Sequence, residues 1–476
     1  MESKPAAGAN SVKIGIEAHV QLNTQSKMFC SDRAEFSDAK PNSNTCPICL
    51  GFPGTKPVIN SKAVEYGTLI GLALGCSINR DVFFSRKAYF YPDLSKNFQI
   101  TQYEAPIAVN GRFGVGEARI GIKRVHVEED PARLIYDGGD ITTAQGVLID
   151  YNRAGVPLAE IVTEPDFTSP KQVRQFMERL SSMLEYLGVY DPRREMSLRV
   201  DANISINGGE RVEVKNITGF ENVEKALSFE VVRQAGLVRM GAEIQRETRH
   251  FDAEFRTTKS LRKKEYEEDY GYIFDPDLPR LTLGKKYVDR LVASMPDLPD
   301  QIVKRFVGSY GISEYYAGVI VYTGKPMAAF FEECIKLHNS PKQIANWIVN
   351  YLMKSLNWRS ERVEGSKARP DTFVELVRMI ENGEITERYA KELVKAYVDT
   401  GKSPRELAKA DSVSLGAKDI KRIINSIISS NAKAVEEYRS GKGAALQFLI
   451  GQALKETRKQ ADPKVIKELM LKELTT

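Results

Sequence analysis

The sequence predicts an α+β fold, a β-rich cradle domain followed by all-α helical and tail modules. Three observations carry that expectation. Between about residues 11 and 290, apolar and polar residues alternate in short runs punctuated by Gly, Pro, Asn and Asp, the period-two pattern of strands. After Asp275-Pro276-Asp277-Leu278-Pro279 the alternation fades and a helical period runs to the C-terminus. A chain of 476 residues is also too long for one core. The expected divisions are a disordered lead over 1–10, the α+β cradle over 11–292, a helical domain over 293–405 and a helical tail over 406–476.

The first strand is Lys13–Leu22, where Ile14, Ile16, Ala18, Val20 and Leu22 alternate with Gly15, Glu17, His19 and Gln21. A helix is expected at Ser61–Leu74, apolar nearly all round. Arg124–Asp130 is a second strand, with His126 and Glu128 on one face and Glu129 and Asp130 following. Two apolar segments flank an Asn-Arg-x-Gly corner in Leu148–Val162. Thr168-Ser169-Pro170 caps a helix over Gln172–Leu187, since proline suits the first turn. Leu198–Ile206 places Arg199, Asp201, Asn203 and Ser205 on one face, Arg211–Asn216 places Glu213 and Lys215 together, and a helix follows at about Glu221–Glu243. Helices are then expected at Pro299–Val307, Ala328–Leu337, Pro341–Leu356, Thr372–Glu381, Glu387–Thr400, Ile420–Arg439, Gly443–Arg458 and Pro463–Leu474.

Hydrophobic content of 42% and charged content of 28% are ordinary for a globular protein. The net charge of +5 permits a polyanionic partner without demanding one. No apolar run reaches membrane-span length and the first ten residues hold no apolar leader, so no membrane association and a cytoplasmic location are expected. Five cysteines, an odd number, argue against a disulfide framework.

If the polar strands share a sheet, their faces converge on a carboxylate-rich patch. Such a patch repels itself unless protons or a cation neutralise it. Oxygen donors select hard cations, Mg²⁺ or, with a histidine, Mn²⁺. Cations and aromatics stand nearby in Ser85–Lys96, including Lys87, Tyr89 and Lys96. Tyr89, Asn152, Arg153 and Lys215 are the candidate contacts to substrate and ATP. Acidic metal patches with adjacent cations suit phosphoryl transfer, and structural ion pairs are the plainer alternative for any one of these residues. Gly401-Lys402-Ser403 is not a phosphate loop, because the first glycine of that motif would fall on Ala396. Cys46-Pro47-Ile48-Cys49, with Cys30 and Asp32 upstream, is a degenerate four-ligand pattern for Zn²⁺. Lys455, Arg458, Lys459, Lys464, Lys467 and Lys472 on the last helices read either as a solvated face or as a phosphate-backbone contact.

Together these segments resemble the B subunits of the tRNA-dependent amidotransferases, nearly end to end. The most specific stretch is I-D-Y-N-R-A-G-V-P-L-A-E-I-V at Ile149–Val162. G-I-E-A-H-V-Q-L, Y-F-Y-P-D-L-S-K-N-F-Q-I-T-Q, H-V-E-E-D, R-V-D-A-N-I-S, E-V-K-N and the tail F-L-I-G-Q-A-L-K-E-T-R-K-Q-A-D-P support it. The resemblance implies an ATP-dependent carbon–nitrogen ligase that phosphorylates the side-chain carboxylate of Glu-tRNA(Gln) or Asp-tRNA(Asn). Ammonia from a separate amidase, the A subunit, then replaces the phosphate, and the enzyme is completed by a small third partner, the C subunit. It implies metal ligands at Glu17, His19, Glu129 (with Glu128 beside it), Asp201 and Glu213. Glu17, Glu128, Glu129, Lys87 and Lys96 are the implied catalytic set, with the two lysines near ammonia entry. The family's zinc pattern is matched at Cys30, Cys46 and Cys49 and departs at Asp32. No extra domain interrupts the chain near residue 280, which favours the B type over its archaeal relative. The alternative is a non-catalytic tRNA-binding scaffold that keeps the fold.

Overall fold

The computed structural model describes residues 11–137, 144–194, 196–263, 271–411, 417–457 and 463–475. The disordered lead expected over 1–10 lies outside the described residues. The chain forms two compact units, one ending at Pro299 and the other starting at Asp300.

The first unit is built on a nine-stranded sheet. Its strands are β1 (Val12–Gln21), β2 (Ser77–Ile78), β3 (Ala108–Val115), β4 (Ala118–Glu129), β5 (Pro157–Thr163), β6 (Leu198–Ile206), β7 (Val212–Thr218), β8 (Glu247–Asp252) and β9 (Thr257–Lys263). Their spatial order is β9-β8-β7-β6-β1-β5-β4-β3-β2, so the first strand of the chain becomes the centre of the sheet. Every pairing is antiparallel except β7 with β8.

Alternation decides which face is buried. Ile14, Ile16, Ala18 and Val20 of β1 are buried in the main core with Val125 and Val127 of β4, Ala159 and Ile161 of β5, and Val200, Ala202 and Ile204 of β6. Three helices cover that side, α1 (Ser61–Ala73), α2 (Pro170–Tyr186) and α3 (Phe220–Arg239). α1 approaches closely through Gly67 and Gly71, where a Cβ would stand 2.6 Å from Val127 Cγ1 and 2.5 Å from Ala108 Cβ. The Asn60 side chain caps α1 and also donates to Ser26 O, tying the helix to the loop after β1. Ser169 caps α2, with Pro170 at its first turn.

A smaller three-stranded sheet joins Gly271–Phe274, Ser85–Ala88 and Phe98–Thr101. The second unit is helical. Its predicted helix Pro341–Leu356 contains a π-helical turn at Ile348–Leu352, and Ile420–Arg439 breaks at Asn431, whose side chain bonds back to Ile427 O. Ile424, Leu449, Ile450, Ile466 and Met470 give the last helices a core of their own. Among the described residues no helix is long and apolar enough to cross a membrane.

Candidate active site

The sheet face opposite the helices carries the polar residues of its central strands. Residues paired across an antiparallel ladder point to the same side. His19 of β1 lies opposite Arg199 of β6 and Glu160 of β5, and Glu160 lies opposite His126 of β4. One row across four strands therefore reads guanidinium, imidazole, carboxylate, imidazole. On one side Glu17 lies opposite Asp201, and Asn203 opposite Glu213. On the other, Gln21 and Leu158 lead to Glu128.

Ligand atoms of His19, Glu128 and Glu160 all lie within 4.8 Å of one another. The Glu160 carboxylate is 3.4 Å from both His19 Nε2 and His126 Nε2. Burial disfavours both imidazolium forms, yet the hydrogen bonds and charge of Glu160 outweigh it and bring each histidine to about 9. Burial works equally against the Glu160 anion, and the two histidines hold it well below the usual carboxylate range. Burial, then the charges of Glu160, Asp201 and Glu213, push the Glu17 carboxyl above its ordinary value.

Thr101 donates to Glu128 at 2.8 Å and fixes its carboxylate. Asp201 accepts the Asn216 N–H at 2.8 Å and sits 3.5 Å from Lys215 Nζ. Burial works to raise the Asp201 pKa, but Lys215 and His19 keep it low. Lys215 is also 4.0 Å from Glu213, which accepts a bond from Thr248. Beside the cluster, Tyr103 and Tyr272 stack with centroids 4.0 Å apart, and Arg124 lies 6.0 Å over the Tyr103 ring.

Not every predicted residue reaches this face. Glu129 follows Glu128 on β4 and points the other way, where Lys96 Nζ donates to its two oxygens at 2.5 and 2.6 Å and Ile100 N at 3.0 Å. That pair lines a separate small pocket with Cys49, Asp93 and Asp130. Lys87 lies on Ser85–Ala88, 5.8 Å over the Tyr89 ring. Asn152 is fully buried, donating to Lys40 O and accepting from Asn44 N. Arg153 donates to Pro131 O and Ala132 O. Those two residues staple loops together, and the structure does not bring them to the acidic cluster.

The second predicted cluster does assemble. Ligand atoms of Cys30, Asp32, Cys46 and Cys49 lie within 4.8 Å of one another. A hydrogen bond from Cys30, opposed by burial and helped by Lys27, lowers the Cys49 thiol to about 6. The buried Lys27 ammonium stands 3.7 Å from Cys49 Sγ.

Comparison with known proteins adds the decisive observation. Residues 12–289 match the family described as the GatB/GatE catalytic domain, and residues 329–474 match the GatB domain. The chain belongs to the GatB/GatE family. It is 42% identical over 471 residues to the B subunit of the aspartyl/glutamyl-tRNA(Asn/Gln) amidotransferase of Saccharolobus solfataricus, covering 97% of this chain and 99% of that protein. The like-named protein of Methanospirillum hungatei is 43% identical over 463 residues, covering 94% and 95%. That of Thermotoga maritima is 40% identical over 472 residues, covering 96% and 98%.

In this GatB/GatE chain the residue that joins both histidines is Glu160, which is not among the residues predicted from the sequence. Its signal is nonetheless present there: one Glu interrupts the apolar run Leu158–Val162, and burial of a lone carboxylate requires a partner. Arg199 and Gln21 are also legible as residues of the polar strand faces, but their neighbours depend on register.

Proposed function

We propose that the chain is the B subunit of a tRNA-dependent amidotransferase and that this sheet face is its kinase and transamidase site. The convergence of His19, Glu128 and Glu160 carries the reading, because three ligands from three strands are gathered where further carboxylates crowd. Relatives named as B subunits of aspartyl/glutamyl-tRNA(Asn/Gln) amidotransferases support Glu-tRNA(Gln) and Asp-tRNA(Asn) as substrates, and ATP is the phosphoryl donor this reading requires.

A carboxylate is a poor electrophile, and phosphorylation supplies a leaving group. The substrate carboxylate oxygen bonds to the γ-phosphorus of ATP as the bond to the β–γ bridging oxygen breaks, and ADP leaves with that electron pair. Ammonia next bonds to the acyl carbon, the C–O bond to phosphate breaks with its pair on phosphate, and nitrogen loses a proton. The oxygen-rich donors with one imidazole fit Mg²⁺ or Mn²⁺, which when bound neutralises phosphate oxygens. His19, Glu128 and Glu160 would hold the ion, with Glu17, Asp201 and Glu213 surrounding it. Lys215 orients Asp201 and Glu213, and Glu17 accepts the proton that nitrogen loses. Ammonia from the amidase, the A subunit, enters past Lys96, Glu129 and Lys87, with Tyr89 beside the route. With the small C subunit the three chains make a cytoplasmic heterotrimer. Residues 11–292 form the catalytic cradle, 293–405 a helical domain and 406–476 the tail that contacts tRNA. Zn²⁺ fits the three thiols and carboxylate of Cys30, Asp32, Cys46 and Cys49.

The test supplies the complex with Glu-tRNA(Gln), Mg²⁺, ATP and ammonium chloride. ADP and Gln-tRNA(Gln) form together, and Glu160→Gln or His19→Ala abolishes both. ADP formation unchanged in those variants would overturn the assignment of the site.

A further inference from the structure

Arg199 is the end member of the row that runs through His19, Glu160 and His126, and it is not one of the proposed metal ligands. It is nearly buried, and its Nη2 donates to Asp130 Oδ1 at 2.9 Å. Asp130 is itself anchored: Gln21 Nε2 donates to its other oxygen at 3.0 Å, and its backbone pairs with Val156 O and Gly155 N. Arg153 Nε stands 3.8 Å from the same carboxylate. Two guanidiniums thus approach Asp130, and the Asp93 carboxyl stands in the field of both. Arg153 uses its donors on loop carbonyls at the back. Arg199 lies between Asp130 and the catalytic face, within the field of Asp201 and Glu128.

The other cations nearby are committed differently. Lys215 lies between Asp201 and Glu213, Lys96 is clamped by Glu129 beyond the sheet, and Arg124 lies over the Tyr103 ring. We propose that Arg199 is a catalytic cation of the phosphoryl transfer, contacting the oxygens of the transferring group, and that Asp130 is the positioning residue that aims it. Negative charge in this step gathers on the three equatorial phosphoryl oxygens and on the bridging oxygen that leaves with ADP. A planar guanidinium preset beside that charge, and unable to lose its proton, favours the transition state over the ground state. The role of Arg199 rests on the kinase reading of this face.

The experiment uses the whole amidotransferase complex. In Arg199→Ala, kcat for ADP formation falls roughly 100- to 1000-fold while KM for ATP changes by less than about threefold. Arg199→Lys recovers only a minor part, because an ammonium cannot reproduce the fork, and added methylguanidine restores Arg199→Ala but not wild type. Calorimetry gives a second readout: Arg199→Ala binds ADP as wild type does but loses most of its added affinity for ADP with aluminium fluoride, a mimic of the transferring phosphoryl group. Asp130→Asn shows the same selective loss to a smaller degree. If Arg199→Ala does not assemble, Arg199→Lys and Asp130→Asn carry both measurements. Equal aluminium fluoride affinity, or kcat within about threefold of wild type in an assembled variant, overturns the role of Arg199. A wild-type complex that makes no ADP with Glu-tRNA(Gln) overturns the kinase reading instead.

Discussion

Glu128 and Glu129 are neighbours in sequence with opposite surroundings, and that contrast is testable. Glu128 meets His126 and Thr101 on the acidic face, whereas Glu129 is neutralised by Lys96 on the other. Replacing a metal ligand costs more than replacing a remote carboxylate, so Glu128→Gln and Glu160→Gln weaken Mn²⁺ binding at least about tenfold while Glu129→Gln leaves it within about twofold. Titration calorimetry on the metal-free protein checks this, and a larger loss in Glu129→Gln contradicts it. The histidines add a pH dependence. Their pKa values rise from 6.5 to about 9 on folding, so the stability they contribute is complete below about pH 6.5 and is lost as pH rises through 9. A metal needs neutral His19, so Mn²⁺ affinity moves oppositely and strengthens up to about pH 9. Thermal midpoints and Mn²⁺ affinities between pH 7 and 9.5 read both trends, and a flat affinity contradicts the ligand role of His19. Alternation along the sequence is enough to put Glu17, His19, Asp201 and Glu213 on polar strand faces. It also puts Glu128 on the face of His126, whereas a ligand role for Glu129 is implied only by the resemblance, and the pairing of Glu128 with Leu158 and of Glu129 with Pro157 separates the two.

At the scale of elements, the site depends on how closely α1 seats the strand that bears His126 and Glu128. Gly67 and Gly71 leave no room for a side chain against Val127 and Ala108. Gly71→Val therefore overpacks the core and destabilises the first unit by about 1–3 kcal/mol, read as a lower denaturant midpoint with unchanged slope. Unaltered stability would show that α1 packs less closely than this. The elements legible in sequence are those with clean periodicity, β1, β6 and the capped α2. The first half of β4 and its partner β3 are not, because Gly111, Gly114 and Gly121 break the alternation. The π-helical turn at Ile348–Leu352 leaves no sequence signal, since its residues keep the apolar pattern of the flanking helix.

For the whole molecule, a β-rich unit holds the proposed chemistry and a helical unit from Asp300 carries the tail proposed to contact tRNA. Removing residues 412–476 raises KM for Glu-tRNA(Gln) at least about tenfold and lessens its salt dependence, because phosphate contacts and their released counterions are lost. Steady-state kinetics at about 50 and 200 mM salt check this, and unchanged KM contradicts the tail assignment. The change of texture near residue 280 is readable because strand and helix periods differ, whereas strand order is not, since β1 pairs with partners more than 135 residues away. In the proposed site three strands deliver His19, Glu128 and Glu160 to one metal ion. Anomalous diffraction from crystals of the protein soaked with Mn²⁺ and ADP tests it most directly. One peak within coordination distance of all three residues is expected. A peak beside Glu129 and Lys96, or none on this face, would contradict it.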